Sequence, residues 1–416
     1  MNLLDLLYVP LVILTSPVWA RKARGDWRAR FGHGKPLGAK SRPRVLVHAV
    51  SVGEVQALRA LVPMLAERAE VVVSVGTDTG IARARELFAQ QAEVVRYPLD
   101  FSRSVRRFLD RVQPDAVALT ELELWPNFMR ACARRGIPVG VINGRLSERS
   151  FRGYRRWRWY LGRMFTQLAF AAVQDEPYAE RFAHMGTPGD RIRVTGSMKF
   201  DAPGLDRAGE HRARGEELTR ALGIDPTRPL VVAGSTAEDE ESLLHEALAR
   251  VAPDAQLLCA PRHPQRFEDA ARALPGCVRR SEAKQGTREV GRASRFLLDT
   301  IGELGDAYAV ADVVVLGRSF GTLHGSDPLE PAAMGRPIVM GPRAGDFKTP
   351  VELLERAGGI VRTDRSALGR VLGELLADTA RRQRLGDAAR ACVAQNRGAS
   401  ERHAAMILDL VTAAGA

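Results

Sequence analysis

Cysteine is scarce in this chain. Cys132, Cys259, Cys277 and Cys392 are the only four in 416 residues, and none forms a CxxC pair. That spacing argues against a disulfide framework or a thiolate zinc site and fits buried cytosolic thiols. Aromatic residues are also sparse, at 6%. No zinc-finger, RRM or KH signature accompanies the basic charge, which argues against a nucleic-acid partner. HExxH, GxxxxGK[ST] and GxSxG are absent, and so is the dinucleotide fingerprint GxGxxG. Internal repeats and low-complexity tracts are missing too. Acidic residues are outnumbered 49 to 61 by basic ones, mostly arginine, giving a formal charge of +12. Such an excess points to an anionic partner; with nucleic acid argued against, a membrane surface or a phosphorylated substrate remains.

What is present is apolar and periodic. Hydrophobic content of 45% supports buried sheets. The length exceeds what one core comfortably serves, so two domains are expected. Leu3 to Ala20 is almost wholly apolar, and Arg21, Lys22, Arg24, Arg28 and Arg30 follow it. A secretory signal would carry its positive charge first. The order seen here reads as a membrane-anchor helix, spanning the bilayer or lying in the interface, with the body on the cytoplasmic side. The basic flank would meet anionic headgroups.

Beyond residue 30, short apolar runs alternate with amphipathic segments. Val45–Val50, Val71–Val75, Val94–Tyr97, Ala116–Thr120, Val139–Ile142 and Phe170–Val173 read as strands. Helical spacing runs over Val55–Arg68 and Ile81–Gln90. The pattern weakens at Asp201–Glu217, which reads as an interdomain linker. It restarts with strands at Leu230–Gly234, Gln256–Ala260, Phe296–Leu298, Val313–Leu316 and Ile338–Met340. Near-continuous apolar strands separated by helices predict α/β architecture with parallel, doubly wound sheets. The expected division is an anchor and basic flank over 1–30, one Rossmann-like domain over 31–203 and a second over 204–416, the last helix crossing back. Ligands would bind beyond the carboxyl ends of the strands, in a cleft the two domains face.

The polar motifs fall at those strand ends. Ser51-Val52-Gly53-Glu54 opens a helix after the first strand; Glu54 is either a general base for an incoming hydroxyl or a complement to the helix dipole. Gly53 allows close backbone approach. Thr77-Asp78-Thr79-Gly80 either touches substrate or caps its helix. Glu121-Leu122-Glu123-Leu124-Trp125-Pro126-Asn127 places two carboxylates, a Trp and an Asn in one short turn. Lys199 is either a substrate cation or a linker charge. Arg262 in Pro261-Arg262-His263-Pro264 suits a phosphate, with His263 assisting, or is a surface turn. The Ile301 and Gly302 amides, ahead of Glu303, sit where a helix N-terminus would hold an anion. The stretch from Gly325 to Pro342 reads as loop, short helix and buried strand; the loop offers backbone N–H groups to an anion at the helix N-terminus, and Glu330, one turn inside the helix, is placed for sugar hydroxyls. That pairing suits the nucleotide half of an activated sugar, or is an ordinary helix-to-strand connection. Arg152, Arg155, Arg156, Arg158 and Arg163 alternate with Tyr154, Trp157, Trp159 and Tyr160, which suits a headgroup region or a solvated basic face.

In this order, the motifs resemble those of the Kdo transferases (3-deoxy-D-manno-octulosonic acid transferases) of bacterial lipopolysaccharide synthesis. The resemblance runs from the apolar N-terminus through His48–Glu54, Glu121–Asn127, Asn143–Ser147, Val194–Asp201, Ala233–Thr236, Pro261–Pro264 and Asp299–Leu304 to Pro328-Leu329-Glu330. It implies the GT-B fold, an N-terminal acceptor domain and a C-terminal donor domain. It implies inverting transfer without metal or other cofactor, from CMP-Kdo to a phosphorylated lipid A precursor, at the cytoplasmic face of the inner membrane. Glu54 matches the catalytic base. Arg262 and His263, with Ile301, Gly302, Glu303, Ser326, Asp327 and Glu330, fall in the CMP-binding motifs. Ser51, Gly53, Thr77, Glu121, Glu123 and Lys199 fall at acceptor or supporting positions. Where the family pattern has Gly-His-Asn, this chain has Gly325-Ser326-Asp327, which adds negative charge by the donor phosphate. Thr-Pro-Thr-Gly is here Thr77-Asp78-Thr79-Gly80. The alternatives are another GT-B nucleotide-sugar transferase or epimerase, and a non-catalytic membrane-associated binder of anionic polymer.

Overall fold

The computed structural model describes residues 5, 8, 25–201, 207–283 and 293–414. The chain forms two compact units: Met1–Pro203 with Arg397–Ala416, and Gly204–Asn396. The last helix, Ala399–Ala414, therefore belongs to the N-terminal unit.

The N-terminal unit is built on seven parallel strands: β1 Arg44–Ala49, β2 Glu70–Val75, β3 Ala92–Arg96, β4 Ala116–Thr120, β5 Val139–Gly144, β6 Phe170–Val173 and β7 Ile192–Val194. Their order is β3-β2-β1-β4-β5-β6-β7. All six residues of β1 are buried, because helices cover both faces of the sheet. One apolar layer joins Val45, Val47 and Val73 to Ala404, Ile407 and Val411 of the last helix. The other joins Leu46, Val72, Val117 and Leu119 to Phe108 and Phe128. The C-terminal unit repeats the plan with β8 Leu230–Thr236, β9 Gln256–Pro261, β10 Val278–Arg279, β11 Arg295–Leu297, β12 Val313–Leu316, β13 Ile338–Met340 and β14 Ile360–Arg362, ordered β10-β11-β9-β8-β12-β13-β14. In each sheet the winding direction reverses once, between β1 and β4 and between β8 and β12. Loops leaving such a pair diverge and open a crevice at the carboxyl ends.

Several expectations need correction. The helix expected over Val55–Arg68 is two, Val52–Ala57 and Leu61–Ala66. Pro63 explains the break: its ring tolerates a first helical turn but not the interior of a longer helix. Much of the stretch read as a linker belongs to the helix Ala208–Leu222. Its Gly215 marks packing, not a loop, since a Cβ there would lie 2.3 Å from the carbonyl oxygen of Asp306. The short edge strands β7, β10 and β14 carried no apolar run long enough to be read. Glu330 is the second residue of its helix, Leu329–Ala333, and not one turn inside.

Of the apolar N-terminal run, only Asp5 and Tyr8 are among the described residues; the rest of the anchor expectation lies outside them. Asp5 is buried and accepts from the Ser102 N–H at 2.8 Å and the Asn127 amide at 3.3 Å. Tyr8 donates to Asp100 at 3.1 Å. Among the described residues, no helix is long and apolar enough to cross a membrane.

His403 locks the last helix to the N-terminal sheet. Its Nε2 accepts from the Asn143 N–H at 3.0 Å, and the Thr195 hydroxyl lies at 3.1 Å. Its Nδ1 donates to the Ala399 carbonyl. An acceptor role for Nε2 requires the neutral ring, and burial holds its pKa down at about 4 from 6.5. Between those values the unfolded chain takes up a proton that the folded unit refuses, so stability falls as pH drops from about 6.5 toward 4. His403→Gln, which still offers an acceptor, should lose about 1–3 kcal/mol at pH 7. It should also lose less than the wild type on acidification to pH 5. Denaturant unfolding at both pH values checks this, and equal pH dependence in both proteins would refute it.

Candidate active site

In the N-terminal unit, the loop after β1 is at the switch of winding direction. Ser51 caps the helix Val52–Ala57: its Oγ accepts from the Glu54 N–H at 3.4 Å and donates to Glu54 Oε1 at 2.9 Å. Glu54 Oε2 accepts from the Val50 N–H at 2.8 Å. The arrangement resembles a capping box shifted by one residue, the carboxylate reaching the N–H before the cap rather than that of the cap itself, so the dipole-complement reading of Glu54 holds locally. Glu54 is nevertheless more than a cap. Burial raises its pKa to about 7; the Val50 N–H opposes that, Glu121 adds to it, Ser51 opposes it and Glu123 adds to it. A carboxylate poised near neutrality is suited to proton abstraction.

Glu121 and Glu123 leave β4, the other strand at this switch point. Glu121 has φ of +60°, an unusual conformation for a non-glycine residue at a strand end. Burial also raises the Glu123 pKa; the Trp125 indole, donating to it at 2.8 Å, works against this, and Glu121 reinforces it. Trp125 is 43% exposed. Asn127 is buried and its N–H donates to Asp100 at 3.0 Å; its role is structural. Thr77 donates to the Val50 carbonyl at 2.9 Å and accepts from the Gly80 N–H at 3.2 Å. It therefore braces the Glu54 loop and caps its own helix. Asp78 beside it meets Arg96 and Arg30 and accepts from the Gly25 N–H at 3.3 Å. Gly53 is exposed at the start of its helix. Lys199 is half-buried in the short turn Met198–Asp201, its N–H donating to Ser197 at 3.4 Å.

In the C-terminal unit, Arg262 and His263 leave β9 with exposed side chains, the Arg262 N–H donating to the Thr236 carbonyl at 3.0 Å. Ile301 and Gly302 form an exposed turn ahead of the helix Leu304–Val310, with Gly302 at φ +95°. The Glu303 carboxylate is engaged by Arg280 at 2.7 Å and by Thr300, so its side chain is structural. Ser326 is buried and donates to the Gly317 carbonyl at 3.0 Å. Asp327 accepts from the Leu329 N–H at 3.0 Å. The added negative charge thus engages the first N–H of the short helix Leu329–Ala333, one of the amides expected to face an anion.

Glu330 remains available. No hydrogen-bond donor among the described residues reaches its carboxylate. Burial raises its pKa, with His211 opposing and Asp327 and Asp306 reinforcing. The carboxylate lies over Gly305, where a Cβ would come within 2.5 Å of Oε1. Two further residues escaped the sequence reading. Tyr308 is buried with its hydroxyl over Gly234, where a Cβ would lie 1.8 Å away. A glycine inside a strand was the available signal. His211 pairs with Asp306 at 2.6 Å, beside the same Gly305.

A family model described as 3-deoxy-D-manno-octulosonic-acid transferase (kdotransferase) matches residues 25–202. The curated 3-deoxy-D-manno-octulosonic acid transferase of Bordetella pertussis is 35% identical over 94% of both chains. That of Haemophilus influenzae is 31% identical over 98% of this chain and 95% of its own. Among solved structures, the UDP-GlcNAc 2-epimerase of Neisseria meningitidis aligns with a TM-score of 0.59 at 14% identity, over 88% of this chain and all of that one (100%). A glycosyltransferase of Rickettsia africae gives 0.59 at 11% identity, over 89% and 99%. Those identities speak to the fold alone: two Rossmann-like parallel-sheet units resembling GT-B glycosyltransferases.

Carbon NMR titration of Glu54 should give a midpoint near pH 7. In Glu121→Gln the midpoint should move lower, because a like charge is gone. A midpoint near the ordinary 4.5 would overturn the desolvation argument.

Proposed function

This chain belongs to the 3-deoxy-D-manno-octulosonic acid transferase family, and we propose that it transfers Kdo from CMP-Kdo to a phosphorylated lipid A precursor with inversion. The observation that carries the mechanism is Glu54, a half-buried carboxylate at the switch point of its sheet whose pKa desolvation raises to about 7. Glu54 takes the proton of the acceptor hydroxyl as that oxygen bonds to the sugar carbon. The bond from that carbon to the CMP phosphate oxygen breaks on the opposite face, and CMP leaves with the electron pair. Arg262, assisted by His263 and the Ile301 and Gly302 amides, meets the phosphate charge. Glu330 accepts from ribose hydroxyls. Glu121 and Glu123 keep Glu54 basic, and Lys199 faces the acid groups of the substrates. The transfer proceeds without a metal.

The acceptor lies at the inner leaflet, so the reading places the protein on the cytoplasmic face of the inner membrane. Support comes from the helices Glu148–Arg156 and Arg158–Thr166. There Trp157 and Trp159 are 60% and 76% exposed among five arginines, Arg152, Arg155, Arg156, Arg158 and Arg163. Exposed indoles with a cationic surround suit an anionic lipid interface.

The test supplies CMP-Kdo, generated in situ, and a tetraacyl bisphosphorylated lipid A precursor, and reads products by mass spectrometry. A product heavier by one or more Kdo units is expected, undiminished by EDTA. Glu54→Ala should lose at least about 10²-fold in turnover while still binding CMP; near-normal turnover would remove Glu54 from its role. Thermal stabilisation by UDP and not by CMP would point instead to another nucleotide-sugar enzyme of this fold. On vesicles, Trp157→Ala with Trp159→Ala should reduce co-sedimentation with anionic lipid. Unchanged binding would exclude this surface from membrane contact.

A further inference from the structure

One buried carboxylate in the C-terminal unit has no part in the reading above. Glu240 begins the helix Glu240–Val251 just after β8 and is 2% exposed. Its Oε2 accepts from the N–H groups of Ala237 at 3.0 Å and Arg318 at 2.7 Å. Its Oε1 accepts from those of Ser319 at 3.0 Å and Phe320 at 3.1 Å. Three of these donors are consecutive residues of the loop leaving β12. The fourth follows β8. Glu240 thus bridges the two strands at which the second sheet reverses its winding.

The backbone it holds is unusual. Ser235, Glu238 and Arg318 have φ of +56°, +54° and +60°, and none is glycine. Gly317 packs so closely that a Cβ would lie 2.6 Å from the Ser235 carbonyl oxygen. Such conformations persist only where surrounding bonds over-determine them. Those bonds radiate from the clamp. Ser319 Oγ donates to the Leu316 carbonyl at 2.6 Å and accepts from the Gly341 N–H at 2.8 Å. The Gly325 N–H donates to the Arg318 carbonyl at 2.8 Å, and Ser326 Oγ to the Gly317 carbonyl at 3.0 Å. Asp327 follows directly, and Glu330 three residues later.

We propose that Glu240 is a positioning residue for the donor site, its carboxylate holding the β12 loop in the conformation that aims Glu330 at the CMP moiety. The proposal rests on the donor reading given above. Only a carboxylate offers acceptors to four converging N–H groups without bringing a donor of its own. Consecutive loop amides of this kind otherwise form an anion-binding nest. Glu240 fills it from within, so the donor phosphate is met elsewhere, by Arg262 and the Ile301–Gly302 turn.

The test uses the full chain and CMP as probe. Glu240→Gln turns an amide group toward the clamped N–H donors. It should weaken CMP binding by at least about tenfold in calorimetry. Hydrogen exchange at Arg318, Ser319 and Phe320 should accelerate, while the Glu54 titration stays unchanged. Glu240→Asp keeps the charge on a shorter arm and should recover part of both losses; it replaces the Gln variant if that one fails to fold. Wild-type CMP affinity in a variant whose loop amides exchange faster would overturn the proposal and leave the donor reading standing. Failure of the wild-type protein to bind CMP would overturn the donor reading and the proposal with it.

Discussion

Much in this protein follows from what happens where a parallel sheet reverses its winding. Loops leaving neighbouring strands part in opposite directions there, and their backbone N–H groups lose the partners a regular turn would supply. In both units a glutamate set just after the first strand of the sheet answers that need. Glu54 accepts from one backbone N–H and one hydroxyl. Glu240 accepts from four backbone N–H groups. Burial raises the pKa of each. The difference in hydrogen-bond saturation separates their roles. Two donors and two like-charged neighbours leave Glu54 titratable near neutrality, while four donors make Glu240 part of the framework.

The same accounting reorders the donor motifs. Asp327 and Ser326 stand where the family pattern has other residues, and both side chains are used within their own loop. Glu303 is tied to Arg280. In the proposed reading, donor recognition falls to Glu330 and the Arg262 side chain; Tyr308 is buried nearby. Departures from the family pattern at Ser326 and Asp327 are thereby absorbed by local hydrogen bonds. The Asp78 carboxylate is likewise absorbed, by Arg30 and Arg96.

Legibility in the sequence divided along physical lines. Central strands such as Val71–Val75 and Val313–Leu316 were readable because a strand buried on both faces must be continuously apolar. Edge strands β7, β10 and β14 were not, since a short edge needs no such run. The helix Ala208–Leu222 was misread because its exposed face is charged and its glycines mimic a linker, yet Gly215 is there to let another backbone approach. Glu54 was readable as a residue at a helix start after a strand. Glu240, in an equivalent place, gave no such signal, because three of its four partners lie some eighty positions downstream.

The sequence by itself determined the alternation of strands and helices, the basic charge and the placement of polar motifs at strand ends. Those properties are local, set by side-chain periodicity and by which residues can start or stop an element. Tertiary structure alone decided which carboxylates are poised and which are occupied. Ionisation depends on burial and on donors brought from distant segments, as Arg318–Phe320 are brought to Glu240 and Asn143 to His403, and no local pattern encodes a partner that only the folded sheet supplies.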